Sequence, residues 1–333
     1  MLLRDLMRNS SLSRAWQPFL KAHLCFALTC YFMTQPSFAH VVCPDPQGHH
    51  RMAYVRWGDP LASHVVVCVH GLTRQGRDFD SLAQALVAQS PHPLQVICPD
   101  VVGRGQSDWL TQPEGYQIPQ YASDMVALLA HLQQQLPVQT LDWVGTSMGG
   151  LIGMVVAGQA ELSKLCRIRR LVLNDVGPVV SWPSIERMKT YVGKTGRFES
   201  LDEAADAMWA VSQGFGPHTR EVWLALSAPM LKRQADGSLT LNYDPAIGES
   251  IRAVTQESTA AAEQILWHLY DQITASTLLL RGAQSDLLTA DTAKVMQTRG
   301  PHAQVIEFAG IGHAPTLTSA DQIQVVADFL LCE

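Results

Sequence analysis

The chain has 333 residues, 47% of them hydrophobic and 16% charged, which is enough apolar material for one large globular domain carrying an insertion. A formal net charge of -6, with no Lys/Arg cluster to reverse it, offers no basic field for a nucleic-acid backbone. The 7 cysteines are odd in number and scattered, without a C-x-x-C pair or a Cys/His ligand cluster, so neither a disulfide framework nor a metal site is expected.

At the amino terminus, Arg4, Arg8, Arg14 and Lys21 precede an apolar stretch at residues 24–33, and Ser37-Phe38-Ala39 resembles a small-residue cleavage site. A signal peptide would have this layout and would place the mature chain in the periplasm or outside the cell. Against it stand Asp5 in the charged region and polar interruptions of the apolar run, which is also too short to span a bilayer. A true start at Met33 gives the same sequence without any leader function. The cysteine usage fits the reducing cytoplasm, and residues 1–40 are set aside as a leader or extension.

From residue 52 the pattern alternates strand and helix. Residues 52–57 read as an early strand, and 64–70 as a continuous apolar strand of the kind buried on both faces. A helix is predicted over 79–89, with Leu82, Leu86 and Val87 at helical spacing, then a strand over 94–98 in which Cys98, like Cys68 before it, is expected to be a buried thiol. A long helix follows over 119–135, with Met125, Leu128, Leu129 and Leu132 on one face. The run 141–144, the turn Gly145-Thr146-Ser147-Met148-Gly149 and an apolar helix-like run come next, then a strand over 170–174. Alternating units of this kind imply an α/β fold with a mostly parallel twisted sheet and helices on both faces, and ligands bound beyond the carboxyl ends of the strands.

The alternation stops over residues 178–273, which carry Trp182, Trp209, Trp223 and Trp267. This insertion is expected to be a helical cap whose aromatics wall the substrate pocket and exclude water, with Trp182 as a substrate contact. Residues 41–177 and 274–333 then form the two parts of the core. In the second part, strands at 277–281 and 305–308 precede a final helix over 320–331.

The turn around Ser147 follows a strand and opens a helix, the context in which G-x-S-x-G signifies a nucleophile elbow. A serine hydroxyl needs a base, and the base needs an orienting acid. Asp286 ends the loop after strand 277–281, and His313 lies in the loop after strand 305–308. The order Ser147, Asp286, His313 is that of a hydrolase triad. Asp175, after strand 170–174, is the alternative acid. His70-Gly71-Leu72 follows the first buried strand, so the amides of Leu72 and Met148 are the expected oxyanion donors. His70 and Arg104 are read as braces of their loops, and Arg74 as a candidate contact for a substrate carboxylate.

With these residues in place, the chain resembles the α/β-hydrolase superfamily, in its capped group of carboxylesterases, enol-lactonases and meta-cleavage product hydrolases. The resemblance covers about residues 50–332 and rests on His70-Gly71, the loop from Asp100 to Asp108, the elbow, the loop from Gly282 to Asp286, and Gly312-His313. It implies cofactor-free hydrolysis through an acyl-enzyme. Ser147 at the elbow argues against the epoxide hydrolases and dehalogenases of the superfamily, which have an acid there. Thr146 and Ala314 depart from the Asn and Trp usual in meta-cleavage product hydrolases. The expected substrate is therefore a small-molecule ester or lactone, with carbon-carbon bond hydrolysis as the alternative and a non-catalytic receptor as a third reading. No membrane span is expected, and the sequence is silent on oligomeric state.

Overall fold

The computed structural model describes residues 35–159, 161 and 167–332. An eight-stranded sheet contains β1 (Ser37–Asp45), β2 (Gly48–Gly58), β3 (His64–Val69), β4 (Gln95–Pro99), β5 (Thr140–Thr146), β6 (Ile168–Asn174), β9 (Ser276–Gly282) and β10 (Gln304–Phe308), in the order β1-β2-β4-β3-β5-β6-β9-β10. The six strands from β4 to β10 in that order run parallel, whereas β2 pairs antiparallel with both β1 and β4.

The putting-aside of residues 1–40 is corrected at its end. Ser37 lies opposite Arg56 and His40 opposite Ala53, so four of those residues belong to the edge strand β1. The first half of that strand buries nothing, and hydropathy alternation therefore carries no signal there. Residues 1–34 of that segment, with its arginines and apolar stretch, lie outside the described residues. Among the described residues no helix is long and apolar enough to cross a membrane.

Period-two alternation distributes the sheet's side chains to two core layers. On one face Val65, Val67, Val69, Ile97, Trp143 and Leu171 pack with helices α2 (Ile118–Gln135) and α3 (Met148–Gly158). On the other, Val66, Cys68, Val96, Cys98 and Val172 meet α1 (Asp80–Gln89) and α9 (Ala320–Leu331). Both expected thiols, Cys68 and Cys98, are fully buried.

Between β6 and β9 the chain forms α4 (Trp182–Tyr191), α5 (Leu201–Ser212), a 3-10 turn (Gln213–Phe215), α6 (Arg220–Ser227), the hairpin β7 (Leu231–Arg233) and β8 (Leu239–Leu241), α7 (Ile247–Ala253) and α8 (Gln256–Gln272). A separate small core of Ala204, Ala205, Met208, Trp223, Leu226 and Met230 holds α5 and α6 together. Helix α8 differs from the rest of the segment: it packs on α3, and its Tyr270 lies in the layer beneath the sheet. The span 178–273 thus includes one helix of the core. A chain leaving and rejoining the sheet must return under it, and the tryptophan content of α8 concealed that change of neighbour.

Candidate active site

Strand β5 delivers Ser147 at the beginning of α3. The serine has φ 52°, a left-handed conformation that a β-carbon tolerates poorly, and its amide donates to the carbonyl of Asn174 at 2.9 Å. Helix α3 starts at the next residue because the serine carbonyl accepts from both Gly150 and Leu151. The flanking glycines are required by proximity. A β-carbon on Gly149 would lie 1.9 Å from the carbonyl oxygen of Val69, and one on Gly145 would lie 2.3 Å from that of Gly149. Trp143, fully buried beneath the turn, donates its indole N-H to the Gly149 carbonyl at 3.1 Å.

His313 Nε2 lies 2.9 Å from Ser147 Oγ, and His313 Nδ1 lies 2.7 Å from Asp175 Oδ2. The imidazole is thus held between hydroxyl and carboxylate. Asp175 is completely buried and takes three donors: the Gly282 amide at 2.9 Å, the Ser285 hydroxyl at 2.6 Å and the imidazole. These bonds replace the hydration that burial removes from a carboxylate.

Asp286, expected beside the histidine, is not there. Its carboxylate is half exposed and pairs with Arg187 of α4, Nη2 at 2.8 Å and Nε at 3.0 Å, while its carbonyl accepts from the hydroxyls of Ser181 and Ser184. The position falls to Asp175, the alternative acid. The physical reason is the turn after β6: Asp175 has φ 55° and its carboxylate reaches the end of β9, where Gly282 has no side chain in the way. The available signals were that glycine and Ser285, both of which lie in the loop that brings Asp286.

The expected oxyanion donors are positioned by their neighbours. Among the described residues neither the Leu72 nor the Met148 amide is hydrogen-bonded. Arg104, fully buried, donates from Nε to the Leu72 carbonyl at 2.8 Å and from Nη1 to the Val102 carbonyl at 2.7 Å. His70 donates from Nδ1 to the Gly71 carbonyl at 2.7 Å and accepts the Val101 amide at Nε2, 2.9 Å away. Complete burial pushes this imidazole down to about 3, with Arg104 and Arg74 adding repulsion, so it stays neutral. Both residues brace the loop, as expected.

A cavity of about 320 Å³ opens on Ser147 and His313. Its aromatic walls are Tyr191, Phe198, Phe215 and Tyr243, and the four tryptophans of the insertion are not among them. Trp182 instead lies under the Lys189 ammonium, 4.5 Å from its ring centre, and Trp209 and Trp223 stack edge-to-face inside the small core of α5 and α6. A large indole buried between helices stabilises the insertion and leaves smaller rings to face the cavity. Arg74 does line it, but its guanidinium is forked onto Asp78 with two bonds of 2.7 Å and also reaches the Leu226 carbonyl.

The insertion touches the histidine loop directly: the Gly312 amide donates to the Gly214 carbonyl at 2.7 Å. Away from the cavity, Cys43, His50 and Asp124 form a buried group with metal-ligand atoms in mutual reach. There both His50 nitrogens are already engaged, by Asp45 at 3.0 Å and Asp124 at 3.1 Å. This arrangement fits an imidazolium between two carboxylates.

Residues 61–317 match the family model described as serine aminopeptidase, S33. The chain is 44% identical over 297 residues to a 3-hydroxybutyrate-oligomer hydrolase of Cupriavidus necator, covering 88% of this chain and 97% of that one. It is 25% identical over 273 residues to a pimeloyl-[acyl-carrier protein] methyl ester esterase of Xanthomonas axonopodis pv. citri, covering 78% and 91%. A crystal structure of an alpha/beta hydrolase from Novosphingobium aromaticivorans superposes with a TM-score of 0.74 at 33% identity, over 88% of this chain and 98% of that one.

Proposed function

The chain belongs to the serine aminopeptidase S33 family of α/β-hydrolases, and on that premise we propose that it hydrolyses carboxylic esters, with short hydroxyalkanoate oligoesters as its substrate class. The observation that carries the mechanism is the continuous chain Ser147 Oγ, His313, Asp175, with bonds of 2.9 and 2.7 Å. The extensive identity to the oligoester hydrolase, together with the methyl ester esterase relative, supports an ester over a carbon-carbon bond.

In this reading His313 Nε2 takes the Ser147 proton as Oγ bonds to the ester carbonyl carbon, and Asp175 stabilises the resulting imidazolium. The carbonyl oxygen becomes an oxyanion facing the Leu72 and Met148 amides, each such donor contributing about 3–4 kcal/mol to the transition state. His313 returns the proton to the leaving alcohol, and the carbon-oxygen bond breaks to leave an acyl-serine. Water then attacks with the same base, releasing the acid and restoring Ser147. No cofactor enters the scheme.

The test is labelling with a fluorophosphonate probe beside hydrolysis of p-nitrophenyl butyrate and of linear 3-hydroxybutyrate dimer. Wild-type protein should be labelled at one serine and turn over ester, and Ser147→Ala should do neither. Equal labelling of the two proteins would refute the assignment.

A further inference from the structure

The cavity has an unusual charge balance for a protein of net charge -6. Among the described residues that line it there are three cationic side chains, Arg74, Arg187 and Lys194, and no Asp or Glu. Their compensation differs. Arg74 is neutralised by Asp78, and Arg187 by Asp286 from outside the lining. Lys194 has no ion-pair or hydrogen-bond partner for its ammonium among the described residues. It is exposed and yet lines the cavity, so it stands where the cavity meets solvent.

The placement of these residues follows from α4 and the turn that ends it. Arg187 and Tyr191 are four residues apart on α4, which ends at Tyr191; the chain then turns through Val192, in extended conformation, and Gly193 at φ 91°, and the Lys194 amide closes the turn on the Tyr191 carbonyl at 3.1 Å. Arg187 and Tyr191 therefore share one helix face, which borders the cavity, and the turn brings Lys194 to the same cavity. The opposing walls, including Met208, Val211 and Leu241, are apolar. An anion at this mouth has a designated partner and no carboxylate in the lining to compete with it, and because the ammonium is exposed the pairing is screened by salt.

We propose that Lys194, together with Arg187, recognises a free carboxylate on the substrate while the scissile ester lies at Ser147. The preferred substrate is then an acid-terminated ester, such as a linear hydroxyacid oligomer with its carboxyl end unblocked. Arg187 contributes by sharing its charge between Asp286 and the incoming carboxylate. This inference rests on the ester-hydrolase reading and adds the part of the substrate that the cap selects.

The experiment compares kcat/KM for the linear 3-hydroxybutyrate dimer as free acid and as methyl ester, at low ionic strength, in wild type, Lys194→Met and Lys194→Arg. Labelling of Ser147 by the fluorophosphonate is followed in parallel. Wild type should favour the acid by about fivefold or more, Lys194→Met should bring the acid-to-ester ratio close to one, and Lys194→Arg should retain most of the preference. The ratio cancels any general loss of activity or folded fraction. Equal use of acid and methyl ester by wild type, or an unchanged ratio in Lys194→Met, overturns the proposal and leaves ester hydrolysis standing. Failure to cleave either dimer or p-nitrophenyl butyrate, with no labelling of Ser147, removes the hydrolase reading and the proposal with it.

Discussion

Two carboxylates compete on paper for one histidine, and the backbone decides between them. Asp175 and Asp286 both follow parallel strands on the same edge of the sheet, at the ends of β6 and β9. Only Asp175 adopts the left-handed conformation that sends its side chain across Gly282 to His313. Ser147, His313 and the loop carrying Leu72 were legible because each follows a recognisable strand and its role needs only that position. The acid was ambiguous because the choice depends on a turn's dihedral angles, which loop composition constrains weakly. The kinetic test is direct: Asp175→Asn should lower kcat on p-nitrophenyl butyrate by about 10³–10⁴-fold, through a wrongly held imidazole. Asp286→Asn should cost less than about tenfold, since it frees an exposed ion pair with Arg187. The reverse ranking would restore Asp286 as the acid.

At the scale of elements, the junction of β5 and α3 is the most constrained part of the fold. The helix lies so close over β3 that Gly149 touches the Val69 carbonyl through the space a methyl group would fill. Gly149→Ala must therefore displace α3 from the sheet, and Met148 is the adjacent residue. We expect a loss of roughly 3 kcal/mol in denaturant unfolding, together with a fall in kcat, because the Met148 amide moves with the helix. A stability change within about 0.5 kcal/mol would contradict the contact. The βα alternation made these elements readable, with boundaries that coincide or shift by up to four residues. The segment between β6 and β9 was read less well. Its tryptophans are apolar enough to wall a pocket or to bind helices together, and only packing distinguishes the two. Trp223 resolves to the interior of α5 and α6, donating its indole to the Ala205 carbonyl. Helix α8 resolves to the sheet layer through Tyr270, whose hydroxyl donates to the Met296 carbonyl.

For the whole molecule, the buried neutral His70 links loop geometry to acid stability. Its imidazole titrates near 6.5 when unfolded and is pushed down to about 3 by burial in the fold. Between those values the unfolded chain binds a proton that the folded chain does not, so stability falls as pH is lowered through 6.5 toward 3. Relative to His70→Gln, the wild type should lose about 1.4 kcal/mol per pH unit across that window, measured by urea unfolding at a series of pH values. Parallel curves for the two proteins would show that the histidine is not held neutral. The molecule also joins its parts at a point without side chains. A β-carbon on Gly282 would strike the Gly312 carbonyl oxygen at 2.1 Å, and one on Gly312 would lie 3.2 Å from the α-carbon of Gly214. Three distant stretches of chain meet there, one from each of two core loops and one from the insertion. A substitution at any one of them is judged by the other two. The insertion is therefore a poor candidate for modular exchange: a cap grafted from a relative would have to bring its own glycine and carbonyl to the Gly312 amide, or the histidine loop would have to be redesigned along with it.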